Sequence, residues 1–215
     1  MSGFPYTTEV PEFFGLLGAG AQAREIETFA HPDRVAFRAV DAKFAGAEGT
    51  IDIGTHDEEF LRTPVAAAVG APGLRRSLVE RWGGATYRRV TASGSWIAES
   101  AVLGEGVMVA PMAAVSAAAV LGDHVLVNIA ATVSHDTRVG AYATLSPGVH
   151  VAGHCRIGAG VFLGIGASVV DGVSIADGCV VGAGSTVISD IEESGVYVGV
   201  PARLVRTTKE WLDAL

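Results

Sequence analysis

Aliphatic side chains recur at every sixth position from Ile97 through Leu103, Val109, Val115, Leu121, Val127, Val133, Val139, Leu145, Val151, Ile157, Leu163, Val169, Ile175 and Val181 to Val187, sixteen positions in unbroken phase. The residue after each is Gly, Ala, Ser or Asn in fourteen cases, the exceptions being Val170 and Ile188. The residue four places after each is mostly Ala, Val, Cys, Thr or Ser. A period of six predicts a left-handed parallel β-helix, with three hexads to a triangular coil and the aliphatic residues stacked in interior ladders. Small neighbours are needed because so narrow a prism has no room for larger ones. Sixteen hexads make a little over five coils, and since one coil cannot bury its own apolar side, stacking provides the core and each end needs a cap.

The first ninety residues follow another rhythm. Residues 12–17 form a short apolar run that passes into Gly18-Ala19-Gly20-Ala21-Gln22-Ala23, and residues 24–30 have helical character. This is G-x-G-x-x-A between a strand and a helix, where glycines permit a tight turn and let backbone N–H groups approach a phosphate. Residues 35–40 read as a second strand ending at Asp41, the place where an acidic group often meets a ribose or base. Residues 42–62 read as a loop, residues 63–69 as a third strand, and Pro72 opens a helix whose Leu74, Leu78, Val79 and Trp82 share one face. Residues 87–90 read as a fourth strand leading to the solenoid. The pattern predicts a small Rossmann-like α/β domain over residues 1–90 and a β-helix domain over 91–191. A cap over 192–215 would end in a short helix, since Thr207-Thr208-Lys209-Glu210 matches a capping box ahead of Trp211, Leu212 and Leu215. Ninety residues are half of a dinucleotide fold, enough for one mononucleotide, which argues against a nicotinamide dehydrogenase.

Composition narrows the function classes. The chain has 215 residues, 49% hydrophobic and 18% charged, enough for a sizeable core and two domains. Its formal net charge of −8 argues against nucleic-acid binding, which needs a basic surface. No apolar run approaches a membrane span, and the opening MSGFPYTTEV lacks the basic and apolar segments of a signal peptide, so a cytoplasmic protein is expected. Cys155 and Cys179 both fall at the small-residue place of a hexad, where a thiol serves as a small hydrophobe. Arg138 and Arg156, eighteen residues apart at the sixth place of their hexads, should stack on one edge in adjacent coils. They are either solvated or meet a phosphate or a neighbouring subunit.

Six histidines are present, and His135 is the candidate for chemistry. It takes the third place of the hexad Val133-Ser134-His135-Asp136-Thr137-Arg138, a corner where side chains point outward, and Gly153 follows one coil later on the same corner. A neutral imidazole accepts a proton at neutral pH, and an adjoining carboxylate, here Asp136, orients it and favours its charged form. His124, His150 and His154 read as solvent-facing turn residues, with His154 able to approach the Gly153 cleft, and His31 before Pro32 reads as a helix terminator. No three histidines recur on one corner of successive coils, so no metal is expected.

Taken together, G-A-G-x-x-A after a strand, an acidic residue ending the second strand, N-x-x-x-x-V-x-H-D over residues 128–136, the following A-G and the terminal G-V-P-A-R over residues 199–203 identify a family resemblance. From about Phe13 to Arg206 the chain resembles the bacterial sugar acetyltransferases of the sialic-acid O-acetyltransferase type. These include N-acetyltransferases of nucleotide-linked 4-amino sugars such as bacillosamine and perosamine precursors. The resemblance implies acetyl-CoA as co-substrate, His135 as general base and Asp136 as the carboxylate that raises its basicity. It implies nucleotide-sugar contacts at Gly18, Gly20, Ala21, Gln22, Asp41, Ala42 and Gly70, and an acetyl-CoA groove lined by Thr144, Gly153, Ile165 and Ala183. It also implies a homotrimer with each active site shared by two chains. Gln22 stands where many relatives carry His beside the sugar phosphates, Thr91-Ala92 replaces the usual His-Pro leading into the solenoid, and Thr144 stands where some relatives carry a coenzyme-contacting His. The expected reaction is direct attack of a sugar amine on the thioester, with a backbone N–H near Gly153 steadying the oxyanion. Acetylation of a sugar hydroxyl and a non-catalytic nucleotide-sugar scaffold are the alternatives.

Overall fold

The computed structural model describes residues 12–31 and 33–214; the chain start weighed above as a leader, Pro32 and Leu215 lie outside them. The first unit is a parallel sheet built from β1 (Phe13–Leu17), β2 (Arg34–Val40), β3 (Thr50–Asp52) and β4 (Val65–Ala67) in the order β3-β2-β1-β4. Its helices are α1 (Ala21–Phe29), α2 (Glu58–Arg62) and α3 (Pro72–Arg81). Strand side chains alternate faces. Leu17, Phe37, Ala39, Val65 and Ala67 therefore pack with Leu78 of α3 and with Trp82 just after it, while Phe14, Leu16, Ala66 and Ala68 pack with Ala23 and Ile26 of α1. That second cluster takes in Met108 and Leu126 of the solenoid, so one apolar core joins the two units. Gly15 is small because the Phe37 ring covers it; a Cβ there would stand 2.3 Å from Phe37 Cζ.

Residues 42–62 are more ordered than the expected loop. They contain a 3-10 turn (Ala42–Phe44), the edge strand β3 and α2, whose Asp57 caps it by accepting the Glu59 N–H. A three-residue strand with one short apolar segment carries too little period-two pattern to stand out in sequence. The fourth strand is also displaced. Tyr87 makes only a bridge to Val65, and β5 (Val90–Thr91) pairs with Met108–Val109, making it the first rung of a solenoid face.

Sixteen two-residue strands follow, β6 (Trp96–Ile97) through β21 (Thr186–Val187), one per hexad, each ending on the aliphatic residue of the repeat. Each strand from β6 to β18 pairs in parallel with the one eighteen residues on, as in Thr132↔His150 and Arg138↔Arg156, and the strands form three faces. The ladder residues from Val109 to Val187 are buried, and the small hexad places Ala113, Ala131, Cys155, Ala167 and Cys179 fill the space between them. At every corner from residue 106 to residue 184 the fourth hexad residue turns left-handed: Gly at 106, 148, 160, 166, 172, 178 and 184, and Met112, Ala118, His124, Ala130, Asp136, Tyr142 and His154 at the others. That conformation costs a side-chain-bearing residue about 1 kcal/mol or more, and Asp tolerates it better than most.

The C-terminal helix is not formed. β22 (Gly195–Val198) adds to Val180–Val181 and pairs antiparallel with β23 (Arg203–Thr207), and residues 208–214 contain no helix. The capping-box signal is local, and the strand pairing that overrides it is long-range. The backbone beyond β23 bonds instead to the first unit, where the Gly73 N–H donates to Leu212 O at 2.9 Å. The Trp211 ring lies over Gly160 and Gly178, where a Cβ on Gly160 would come within 2.1 Å of it, and the Arg76 guanidinium stacks on its other side. No helix among the described residues is long and apolar enough to cross a membrane.

Candidate functional site

His135 and Asp136 form the corner turn between Thr132–Val133 and Arg138–Val139. The left-handed backbone at Asp136 turns its carboxylate back on its neighbour, so that His135 Nδ1 meets Asp136 Oδ2 at 2.9 Å. A carboxylate has no proton to give, so Nδ1 carries the hydrogen and Nε2 keeps its lone pair. Gly153, one coil on, leaves the ring open on that side; a Cβ there would stand 2.7 Å from His135 Cε1 and 2.9 Å from Nε2. His154 sits edge-on to the His135 ring, 5.0 Å between centroids. Among the described residues, His135, Asp136 and His154 are the one group of three metal-ligating side chains, with donor atoms within 4.8 Å of one another. Asp136 is already engaged by the imidazole N–H.

The candidate nucleotide-sugar residues converge elsewhere. Gly18 leaves β1 at φ +105, its N–H donating to Ala39 O, and Gly20 opens α1 with no side-chain cap, so the first helical N–H groups face outward. Gly18, Gly20, Ala21, Gln22, Asp41 and Gly70 line a cavity of about 770 Å³ with Leu74, Leu78 and Asn128. Ala42 lies beside it in an adjoining hollow, and Asp41, on the rim of both, is ion-paired with Arg81. A second groove, about 380 Å³, runs down the solenoid past Thr144, Ser146, Phe162, Ile165 and Ala183 and shares Gln22, Gly70 and Asn128 with the first. The two cavities thus form one path. Asn128, with its side-chain N–H₂ 3.4 Å from Gln22 Oε1, stands at their junction.

The candidate coenzyme residues do not all meet. Ile165 and Ala183 share the groove, while Gly153 belongs to the His135 corner, the next edge of the prism. Six residues at about 3.3 Å each separate adjacent edges, so within one chain the cavity path and the imidazole are roughly 15–20 Å apart. Thr144 forms part of the groove wall, but its hydroxyl donates to Gly70 O at 2.7 Å and accepts from Arg75 Nη2 at 2.9 Å.

Arg75 was not legible in sequence. It is fully buried on α3 with no carboxylate partner, and its guanidinium donates to the carbonyls of Val69, Gly70, His124, Tyr142 and Ala143 and to the Thr144 hydroxyl. Burial pulls it down to about 9, still cationic at neutral pH. It ties the Gly70 loop to two solenoid coils. His124, expected to face solvent, is buried between Tyr87 and Tyr142. Desolvation lowers its imidazole to about 4, and its Nδ1 has no partner. The first unit docks on that corner and covers it. Arg138 and Arg156 are ladder partners as expected, and line a groove of about 550 Å³ together with Asp190 and Glu192. Both cysteines are free and interior, and burial pushes their thiols up, which suits packing and not nucleophilic attack.

Comparison with known proteins bears on this geometry. A family model described as bacterial transferase hexapeptide, six repeats, matches residues 154–189. No curated protein matches the chain in a sequence search. Among solved structures, PerB, the perosamine N-acetyltransferase from Caulobacter crescentus determined with CoA and GDP-perosamine, is 30% identical with a TM-score of 0.78 over 91% of this chain and 98% of its own. The acetyltransferase domain of PglB from Neisseria gonorrhoeae, solved in complex with acetyl coenzyme A, is 27% identical with a TM-score of 0.79 over 91% of this chain and all of its own. WeeI from Acinetobacter baumannii, at 23% identity and a TM-score of 0.78, shares the fold. With this match along nearly its whole length, the chain belongs to the bacterial hexapeptide-repeat sugar acetyltransferases.

Proposed function

We propose that the chain transfers an acetyl group from acetyl-CoA to the amino group of a nucleotide-linked 4-amino sugar, with His135 as general base. One observation carries the reading: an imidazole whose Nδ1–H is fixed by Asp136 and whose Nε2 lone pair faces the gap left by Gly153. The Rossmann-like first unit, residues 1–90, holds the nucleotide against Gly18, Gly20, Ala21 and Gln22, where helix N–H groups suit phosphate, with Asp41, Ala42 and Gly70 around the nucleoside and sugar. Acetyl-CoA lies along the left-handed solenoid of residues 91–191, past Thr144, Ile165 and Ala183, and residues 192–215 cap it. PerB, solved with CoA and GDP-perosamine, and the PglB domain, solved with acetyl coenzyme A, support both substrates.

Because cavity path and imidazole occupy different edges of one chain, the reading needs a second copy. In a homotrimer, a neighbour's His135 and Gly153 close on the Gln22–Asn128 junction. There the amine nitrogen attacks the thioester carbonyl, its proton passes to His135 Nε2, and a backbone N–H at Gly153 steadies the oxyanion. Collapse breaks the C–S bond, and the imidazolium returns the proton to the CoA thiolate. The reading includes a cytoplasmic site of action, where acetyl-CoA is supplied.

The test is thiol release from acetyl-CoA in the presence of UDP-, GDP- and dTDP-linked 4-amino-4,6-dideoxy sugars, with products identified by mass spectrometry. His135→Ala is expected to lower kcat by two or more orders of magnitude at an unchanged melting temperature. A variant that acetylates as fast as the parent removes His135 from the role, and acetylation only of hydroxyl acceptors makes the enzyme an O-acetyltransferase.

A further inference from the structure

Below His135, on the same corner, the third hexad places run Gly153 and then Asp171. The turns are stacked by backbone hydrogen bonds, the His154 N–H to His135 O and the Gly172 N–H to Gly153 O at 2.9 Å, so the three positions form one column. Gly153 has no side chain, and what faces its empty Cβ position defines the gap. That point is 2.9 Å from His135 Nε2 on one side and 3.0 Å from Asp171 Oδ1 on the other. A small polar group entering beside Gly153 therefore meets a proton acceptor above and a carboxylate below. Among the described residues, no salt-bridge partner holds Asp171.

The two walls do different work. Nε2 can accept a proton, but a neutral imidazole treats an amine and a hydroxyl alike. The carboxylate does not: it attracts an ammonium strongly, accepts a single hydrogen bond from a hydroxyl, and repels an anion. A free sugar amine enters such a gap protonated, and must lose one proton before its lone pair can attack. We propose that Asp171 is a specificity-determining residue that holds the acceptor as its ammonium ion beside His135, and so selects amino over hydroxy sugars. This deepens the proposed function and rests on it. The ammonium releases one proton to solvent as it settles against Nε2. The amine then attacks the thioester, its second proton goes to His135, the C–S bond breaks, and the thiolate leaves with that proton. The products are the amide, CoA thiol and one proton in solution.

Asp171→Asn keeps shape and hydrogen bonding and removes the charge; since the side chain is exposed, the variant is expected to melt with the parent. Steady-state kinetics with the 4-amino sugar nucleotides above should show KM for the acceptor raised about tenfold or more, with kcat within about threefold and KM for acetyl-CoA unchanged, as expected for loss of a charge-assisted contact. The 4-hydroxy counterpart of the same nucleotide, used as a competitive inhibitor, should keep its Ki. An unchanged acceptor KM, or an equal loss of affinity for the hydroxy compound, overturns the assignment of Asp171 while leaving His135→Ala impaired. A parent enzyme that acetylates none of the 4-amino sugars overturns the assignment together with the proposed function.

Discussion

At the scale of single residues, what distinguishes His135 from the other corner histidines is a bonded carboxylate on one side together with an open glycine on the other. His154 sits on the same corner one coil on, and His124 one corner away is sealed beneath the first unit. His135 alone combines a carboxylate at 2.9 Å with a neighbour that has no Cβ. Gly153→Ala is therefore a sharp probe. Its backbone is not left-handed, so alanine fits the chain, but the methyl group would press on the imidazole at 2.7 Å and fill the space an acceptor needs. We expect kcat/KM to fall at least about a hundredfold, the scale on which general-base geometry is lost, with a melting temperature close to the parent's. His124 offers a probe of stability. Its folded value of about 4 lies below the ordinary 6.5, so between those pH values the unfolded chain binds a proton that the folded chain refuses. Stability should then fall as pH drops from about 6.5 to 4, by up to about 3 kcal/mol, and level off below. In urea titrations His124→Phe should flatten that part of the profile; a parallel slope would mean another group is responsible.

At the scale of elements, the hexads were legible because each carries its own signal. Period, small neighbour and corner residue all lie within six positions, and all sixteen strands appear where the aliphatic residues place them. The first unit was legible where its strands sit in apolar runs, as in β1, β2 and β4, and not in β3, where Ile51 stands alone between Thr50 and Asp52. The C-terminal segment misled because a capping box describes what an isolated stretch favours. Here the stretch is held by β22 on one side and by Trp211 on Gly160 and Gly178 on the other. Arg75 makes the same point from the opposite direction. Its environment comes from carbonyls of residues 69, 70, 124, 142 and 143, none of them visible as side-chain identity. Gly70 is a substrate-site candidate whose position depends on that buried guanidinium, since its carbonyl is held by both Arg75 and Thr144.

At the scale of the whole molecule, the cavity path and the base lie on neighbouring edges, and a trimer would bring one chain's path to another chain's base. Mixing two inactive variants tests this. His135→Ala lacks the base, and Gly18→Val lacks the left-handed turn and crowds Val69 at the nucleotide cavity. Refolded together from denaturant they should regain a substantial fraction of parental activity, because some interfaces then combine an intact cavity with an intact base. Activity that stays at the level of either parent variant would place both functions in one chain. The sequence by itself determined the solenoid, its register, the G-x-G-x-x-A turn and the His135-Asp136 pair, since these follow from residues within a few positions of one another. Only the tertiary structure decided that Gln22, Gly70 and Asn128 join two cavities, that Arg75 and His124 are buried, that Asp171 faces His135 across Gly153, and that the tail forms no helix. Each of those depends on atoms brought together from different coils or different units, and a linear pattern has no term for such distances.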